Sequence, residues 1–104
     1  MTNDKRQSAR QRKRFRVTVD RTSSFTLDVG AGGFATEMMR VLPPGTPVMG
    51  QIRLSEVDVV YVGEVAWSKP GDPRMNLRGR MGVRFSRIRP DFASLIDPGD
   101  ARPR

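Results

Sequence analysis

Val48-Met49-Gly50-Gln51-Ile52-Arg53-Leu54-Ser55-Glu56-Val57-Asp58-Val59-Val60-Tyr61-Val62-Gly63-Glu64-Val65-Ala66-Trp67 is the stretch whose reading decides the fold. It consists of two runs rich in β-branched residues, 48–54 and 57–67, separated only by Ser55-Glu56. Such residues fit a pleated, half-buried surface, so the runs read as two long central strands. Counting by twos along the second run places Val65 and Trp67 on one face.

Working outward, the stretch Leu42-Pro43-Pro44-Gly45-Thr46-Pro47 has too many imino acids to pair within a sheet and reads as a tight connection. Before it, Phe34-Ala35-Thr36-Glu37 reads as a short strand leading into Met38, Met39 and Val41, preceded by the turn Gly30 to Gly33. Further back, Phe15-Arg16-Val17-Thr18-Val19 and Ser24-Phe25-Thr26-Leu27 each alternate with a period of two around the polar turn Asp20 to Ser23. Downstream, a loop with Pro70, Gly71, Asp72 and Pro73 leads to a strand over Asn76 to Phe85, with Met81, Val83 and Phe85 on one face. Pro90 suits a first helical position, and Phe92, Leu95 and Ile96 recur at helical spacing, so 90–96 reads as a short closing helix. Six or seven short strands and one helix define an all-β chain, a small antiparallel β-barrel with a short C-terminal helix. The expected organisation is a flexible basic N-terminal arm over 1–11, one domain over 12–96 and a flexible C-terminal tail over 97–104.

The chain has 104 residues, room for one core. Its 19 Lys and Arg against 11 Asp and Glu give a formal charge of +8, which favours anionic partners without choosing among them. It has neither cysteine nor histidine. That excludes disulfides, thiolate or imidazole metal sites and the Ser-His and Cys-His nucleophile systems, so an enzyme is not expected. Residues 1–13 lack the apolar centre of a secretion signal, and no apolar run is long enough to span a bilayer; cytoplasmic residence without membrane insertion is the expectation.

Chemistry concentrates in two places. Arg12-Lys13-Arg14-Phe15-Arg16 is an arginine fork at the entrance to the first strand, and Asp28-Val29-Gly30-Ala31-Gly32-Gly33 follows the second. Guanidinium groups offer paired donors to phosphate oxygens or guanine edges and stack on flat bases, while a carboxylate accepts from guanine N1 and N2. Taken singly, a basic run reads as a solvated tail and a glycine cluster as a turn.

The order of arginine fork, first strand, Asp28-to-Gly33 turn, Gly63-Glu64-Val65-Ala66-Trp67, Gly82-Val83-Arg84-Phe85 and closing helix resembles a PilZ domain over residues 12–96. The resemblance implies a six-stranded antiparallel barrel that receives the bacterial second messenger cyclic di-GMP. It implies no cofactor, and an effector protein supplied in trans as partner. The family's arginine motif falls on Arg12 and Arg16 with Arg14 between them, because Arg16 abuts the apolar strand; Arg10 with Arg14 is a second register. Asp28 takes the acidic position of the second motif and Gly33 its final glycine, but Gly30 stands where the family has a serine.

That missing hydroxyl corresponds to about 0.5–1.5 kcal/mol if nothing compensates. The backbone N–H of Gly30 remains available to a phosphate. Gly33 reads as needed for the φ of the turn, and Trp67 as a core side chain whose position at a strand end would also let it face a base. Ligand binding would order the N-terminal arm and so present a new surface to the effector. Two alternatives stand beside this reading. One is a degenerate PilZ domain that serves as a protein adaptor without the nucleotide. The other is a small basic nucleic-acid-binding barrel, disfavoured because one Trp, one Tyr and five Phe leave few aromatics to stack on bases.

Overall fold

A computed structural model describes residues 13–96. The arm 1–11, the tail 97–104 and the candidate residues Arg10 and Arg12 lie outside the described residues. Six strands, β1 (Arg16–Val19), β2 (Thr22–Gly30), β3 (Gly33–Met38), β4 (Pro47–Leu54), β5 (Val57–Lys69) and β6 (Gly79–Arg87), precede one helix, α1 (Phe92–Ile96). All neighbours are antiparallel, and the sheet closes in the order β1-β2-β3-β6-β5-β4. The two long strands β4 and β5 pair in unbroken register from Leu54↔Val57 to Pro47↔Glu64 across the Ser55-Glu56 turn, as their composition predicts. Closure rests on β1 and β4, where Arg16↔Arg53 and Val17↔Ile52 pair, and the Asp20 N–H donates to the Met49 carbonyl at 2.7 Å. A closed barrel leaves no open sheet edge to recruit another chain.

Alternation sorts side chains between inside and outside. Val17, Val29, Phe34, Ile52, Tyr61 and Met81 are fully inaccessible, and Val65 and Val83 nearly so. Phe34 meets Tyr61 edge-on at 5.3 Å between ring centroids. The Tyr61 hydroxyl donates to the Thr18 carbonyl at 2.8 Å, which satisfies the one polar atom of a ring buried in the barrel. Burial pushes the Tyr61 phenol well above its ordinary value, and the nearby negative charge of Asp20 adds to the shift.

Helix α1 closes one end of the barrel: Phe92 and Ile96 are buried, and Phe92 stacks edge-on to Phe85 at 5.3 Å. The Lys13 ammonium donates to the Ile96 carbonyl at 2.8 Å and so ties the entrance of the first strand to the C-terminus of the helix. The helix starts at Phe92, later than Pro90, because the first turn is spent on the Phe92 N–H reaching the Arg89 carbonyl.

The strands also differ from the sequence reading in their bounds and, at one residue, in the face presented. β2 runs on to Gly30, and a bulge between Thr26 and Asp28 absorbs its extra residue. β6 begins at Gly79 and not Asn76, because 72–77 form a compact turn with a 3-10 segment at Pro73–Met75 and Asn76 at φ 60°. The change of face concerns Trp67. A second bulge, between Val65↔Val83 and Trp67↔Gly82, breaks the count by twos, so Val65 is buried while Trp67 is 45% exposed on the outer face.

Candidate functional site

The arginine fork is held by a threonine. Thr26 of β2 points inward, where its hydroxyl accepts from the Phe15 N–H at 2.8 Å and donates to the Lys13 carbonyl, and its N–H donates to the Phe15 carbonyl at 2.8 Å. This clamp continues the β1 alternation back to Lys13. Lys13 then reaches α1 and Phe15 packs on the core, while Arg14 and Arg16 project outward.

Both outward guanidiniums come to rest on one ring. The Arg14 guanidinium carbon lies 4.4 Å from the Phe25 ring centroid and that of Arg16 5.6 Å, with Arg16 and Phe25 directly paired across β1 and β2. Each such contact contributes roughly 0.5–1 kcal/mol at an exposed site. Its larger effect is to hold two flexible cations side by side before any ligand arrives. Together with Ser24, Glu37 and Arg78 they line a groove of about 360 Å³.

Beside the groove runs a row across four strands. Asp28 pairs with Ala35, Ala35 with Gly82, and Gly82 with Trp67, so the outer face here has a carboxylate at one side, an indole at the other and almost no side chain between. The span from β2 to β5 is about 14 Å at ordinary strand spacing. Gly82 is required by the indole: a Cβ there would lie 2.2 Å from Trp67 Nε1 and 2.6 Å from Cε2. The next row contains Gly30, Gly33 and Arg84, with Arg84 paired to Glu64. By alternation Gly30 shares the outer face with Asp28.

Of the candidates read from sequence, the fold thus gathers Arg14, Arg16, Asp28, Gly30 and Trp67 on one outer surface. Gly33 lies next to them for a different reason from the one expected. Gly45 is the glycine with a positive φ among the described residues. What Gly33 provides is clearance, since a Cβ there would stand 2.0 Å from the Val83 carbonyl oxygen and 3.2 Å from the Arg84 Cα. It lets β3 lie against the β6 main chain.

Sequence reasoning missed Phe25, Ala35, Gly82 and Arg78 as parts of this surface. Phe25 is the instructive omission, because the alternation Ser24-Phe25-Thr26-Leu27 by itself favours the ring inside. The hydroxyls of Ser24, Thr26 and Thr36 take the inner side instead: Thr36 Oγ1 donates to the Phe25 carbonyl at 2.7 Å, and Ser24 Oγ donates to the Glu37 carbonyl at 2.6 Å. No group of three or more metal-ligating side chains exists among the described residues. No helix among them is long and apolar enough to cross a membrane.

Fold and surface together define a small closed antiparallel barrel with arginines gathered on one outer face. Residues 4–97 match the family model of the PilZ domain, and the chain belongs to that family. Among solved structures it is similar to the Bacillus subtilis inhibitor of motility, MotI/DgrA, with a TM-score of 0.75 and 19% sequence identity. That match covers 98% of this chain and 55% of the other, so the chain spans about half the length of its structural neighbour. Among curated proteins there is no match.

Proposed function

We propose that this PilZ domain binds cyclic di-GMP on the outer surface bounded by Phe25, Asp28 and Trp67 and passes the signal to an effector protein. The observation that carries the reading is the convergence of Arg14 and Arg16 on the Phe25 ring, next to the Asp28-Ala35-Gly82-Trp67 row. Arg14 and Arg16 pair with phosphate oxygens, and a guanidinium already lying on Phe25 offers its other face to a guanine. Asp28 accepts from the N1 and N2 donors of a guanine. Trp67, whose indole lies over Gly82 and is itself 45% exposed, supplies an apolar face to a base. Arg12 and Arg10, which lie outside the described residues, are further phosphate contacts on the strength of the sequence motif alone.

A second reading, an adaptor that works without the nucleotide, is favoured by one observation: Gly30 offers no hydroxyl where the family has serine. Isothermal calorimetry with cyclic di-GMP separates the two, with GTP, cyclic GMP and a short single-stranded oligonucleotide as controls. Binding of the dinucleotide alone supports the receptor; absence of heat at high micromolar concentration supports the adaptor. Heat with the oligonucleotide alone revives the nucleic-acid barrel.

A further inference from the structure

We infer that Arg78, a residue of the β5–β6 connection outside both family motifs, is a third phosphate-binding arginine of the groove formed by Arg14, Arg16 and Phe25. The inference deepens the proposed nucleotide site and rests on it. Three observations carry it.

The first is position: Arg78 lines the same groove as Arg14, Arg16 and Phe25, although 62 or more residues separate it from the fork in sequence. The second is charge. Among the described residues Arg53, Arg74, Arg80, Arg84 and Arg89 each have a carboxylate within ion-pair distance; Arg14, Arg16 and Arg78 do not, nor do Arg21, Arg40 and Arg87, but of these six only the first three line the groove. Glu37, which also lines the groove, is engaged by Arg80 at 3.3 Å. Three cations therefore share one concavity whose carboxylate is already committed, an arrangement that repels itself until an anion enters.

The third is rigidity. Arg78 lies between two anchored neighbours. Leu77 bridges Asp72, with the Leu77 N–H reaching the Asp72 carbonyl at 3.0 Å and the Asp72 N–H reaching the Leu77 carbonyl at 2.9 Å, and Gly79 pairs with Met38. The Asp72 carboxylate also accepts from the Arg74 N–H at 3.1 Å, which closes the 3-10 turn at Pro73–Met75. The backbone that carries Arg78 is thus fixed before binding, and only its side chain has freedom to lose. A guanidinium delivered this way pairs with phosphate oxygens from the β5–β6 connection, while Arg14 and Arg16 reach them from the β1 side.

The test combines two probes, cyclic di-GMP and inorganic pyrophosphate, with arginine Nε–Hε resonances followed by NMR and affinities by calorimetry. Joint movement of the Arg14, Arg16 and Arg78 signals on adding either probe is expected. So is a roughly tenfold weaker affinity for cyclic di-GMP in Arg78→Ala, with a shallower salt dependence and partial recovery in Arg78→Lys. Arg40→Ala, a basic residue outside the groove, should bind as the parent does. If Arg16→Ala weakens binding while Arg78→Ala matches the parent and its resonance stays still, Arg78 is no part of the site and the inference is overturned, with the receptor reading intact. If pyrophosphate moves all three signals but cyclic di-GMP moves none, the arginine cradle stands and the nucleotide reading fails. If neither probe moves Arg78, the inference is wrong.

Discussion

Two outer faces of the same barrel differ in what they leave uncovered. Over β4 and β5 the outward side chains are full sized and in unbroken register: Met49 faces Val62, Gln51 faces Val60, and Arg53 faces Asp58 in an exposed ion pair. Over β2, β3, β6 and β5 the outward positions are Asp28, Ala35, Gly82 and Trp67, and both strand pairs that carry the end residues contain a bulge. The first face is an even surface; the second has small residues in the middle strands, with the Trp67 indole lying over Gly82. The relief of the candidate surface comes from small residues on the middle strands and from bulges that re-aim the side chains at its ends.

The largest expected effect of breaking that contrast is on stability. Gly33→Ala puts a methyl group into the β6 main chain, so β3 and β6 must separate; a loss of roughly 3 kcal/mol or more is expected in chemical denaturation. Met49→Ala, on the even face, is expected to shift stability by about 0.5 kcal/mol or less, because the side chain is mostly exposed. Equal losses from the two variants would remove the distinction between the faces.

Binding comes next in size. Arg16→Ala should weaken cyclic di-GMP binding about tenfold or more in calorimetry, whereas Val60→Ser on the even face should leave it unchanged. Phe25→Leu keeps the apolar volume but loses the ring that aligns the guanidiniums, and an affinity roughly three- to fivefold lower is expected. Gly30→Ser should bind equally well or up to about tenfold more tightly, since it restores the hydroxyl on the Asp28 side of the surface. Weaker binding by Gly30→Ser would show that the ligand needs the bare backbone there.

The smallest effect is felt at high pH and reports on the interior that both faces share. The Tyr61 phenol has its folded-state value raised above the unfolded value of about 10, so the native state keeps the proton longer than the unfolded chain does. Stability from this group is complete below about pH 10 and declines as pH rises beyond it. Tyr61→Phe should lose about 0.5–1.5 kcal/mol at neutral pH with the hydrogen bond to Thr18, and its stability should fall less steeply above pH 10. Denaturation midpoints between pH 8 and 11 check both.

Much of the architecture was legible because it depends on local composition. The β-branched runs of β4 and β5, the Ser55-Glu56 turn, the proline-rich link before Pro47 and the Phe92-Leu95-Ile96 stripe each act within a few residues. The candidate site was legible in its charged members, since Arg14, Arg16 and Asp28 announce themselves by type. Its shape was not. Counting by twos fails at the β5 bulge, and nothing in Val65-Ala66-Trp67 marks the skipped residue, so Trp67 reads as core and stands outside. The outward place of Phe25 was not legible for a related reason: the inward places beside it are taken by hydroxyls whose partners, Lys13, Phe15 and Glu37, lie on other strands or before them.

By itself the sequence determined a small, strongly basic, all-β chain without cysteine or histidine and with an arginine fork ahead of its first strand. These follow from residue types and from periodicities that need no knowledge of neighbours. Only the tertiary structure decided that Arg14 and Arg16 share the Phe25 ring, that Gly33 and Gly82 are empty for β6 and for Trp67, and that Arg78 enters the same groove. Each of these depends on which strands lie side by side and where a bulge shifts their register, and that is set by closure of the whole barrel.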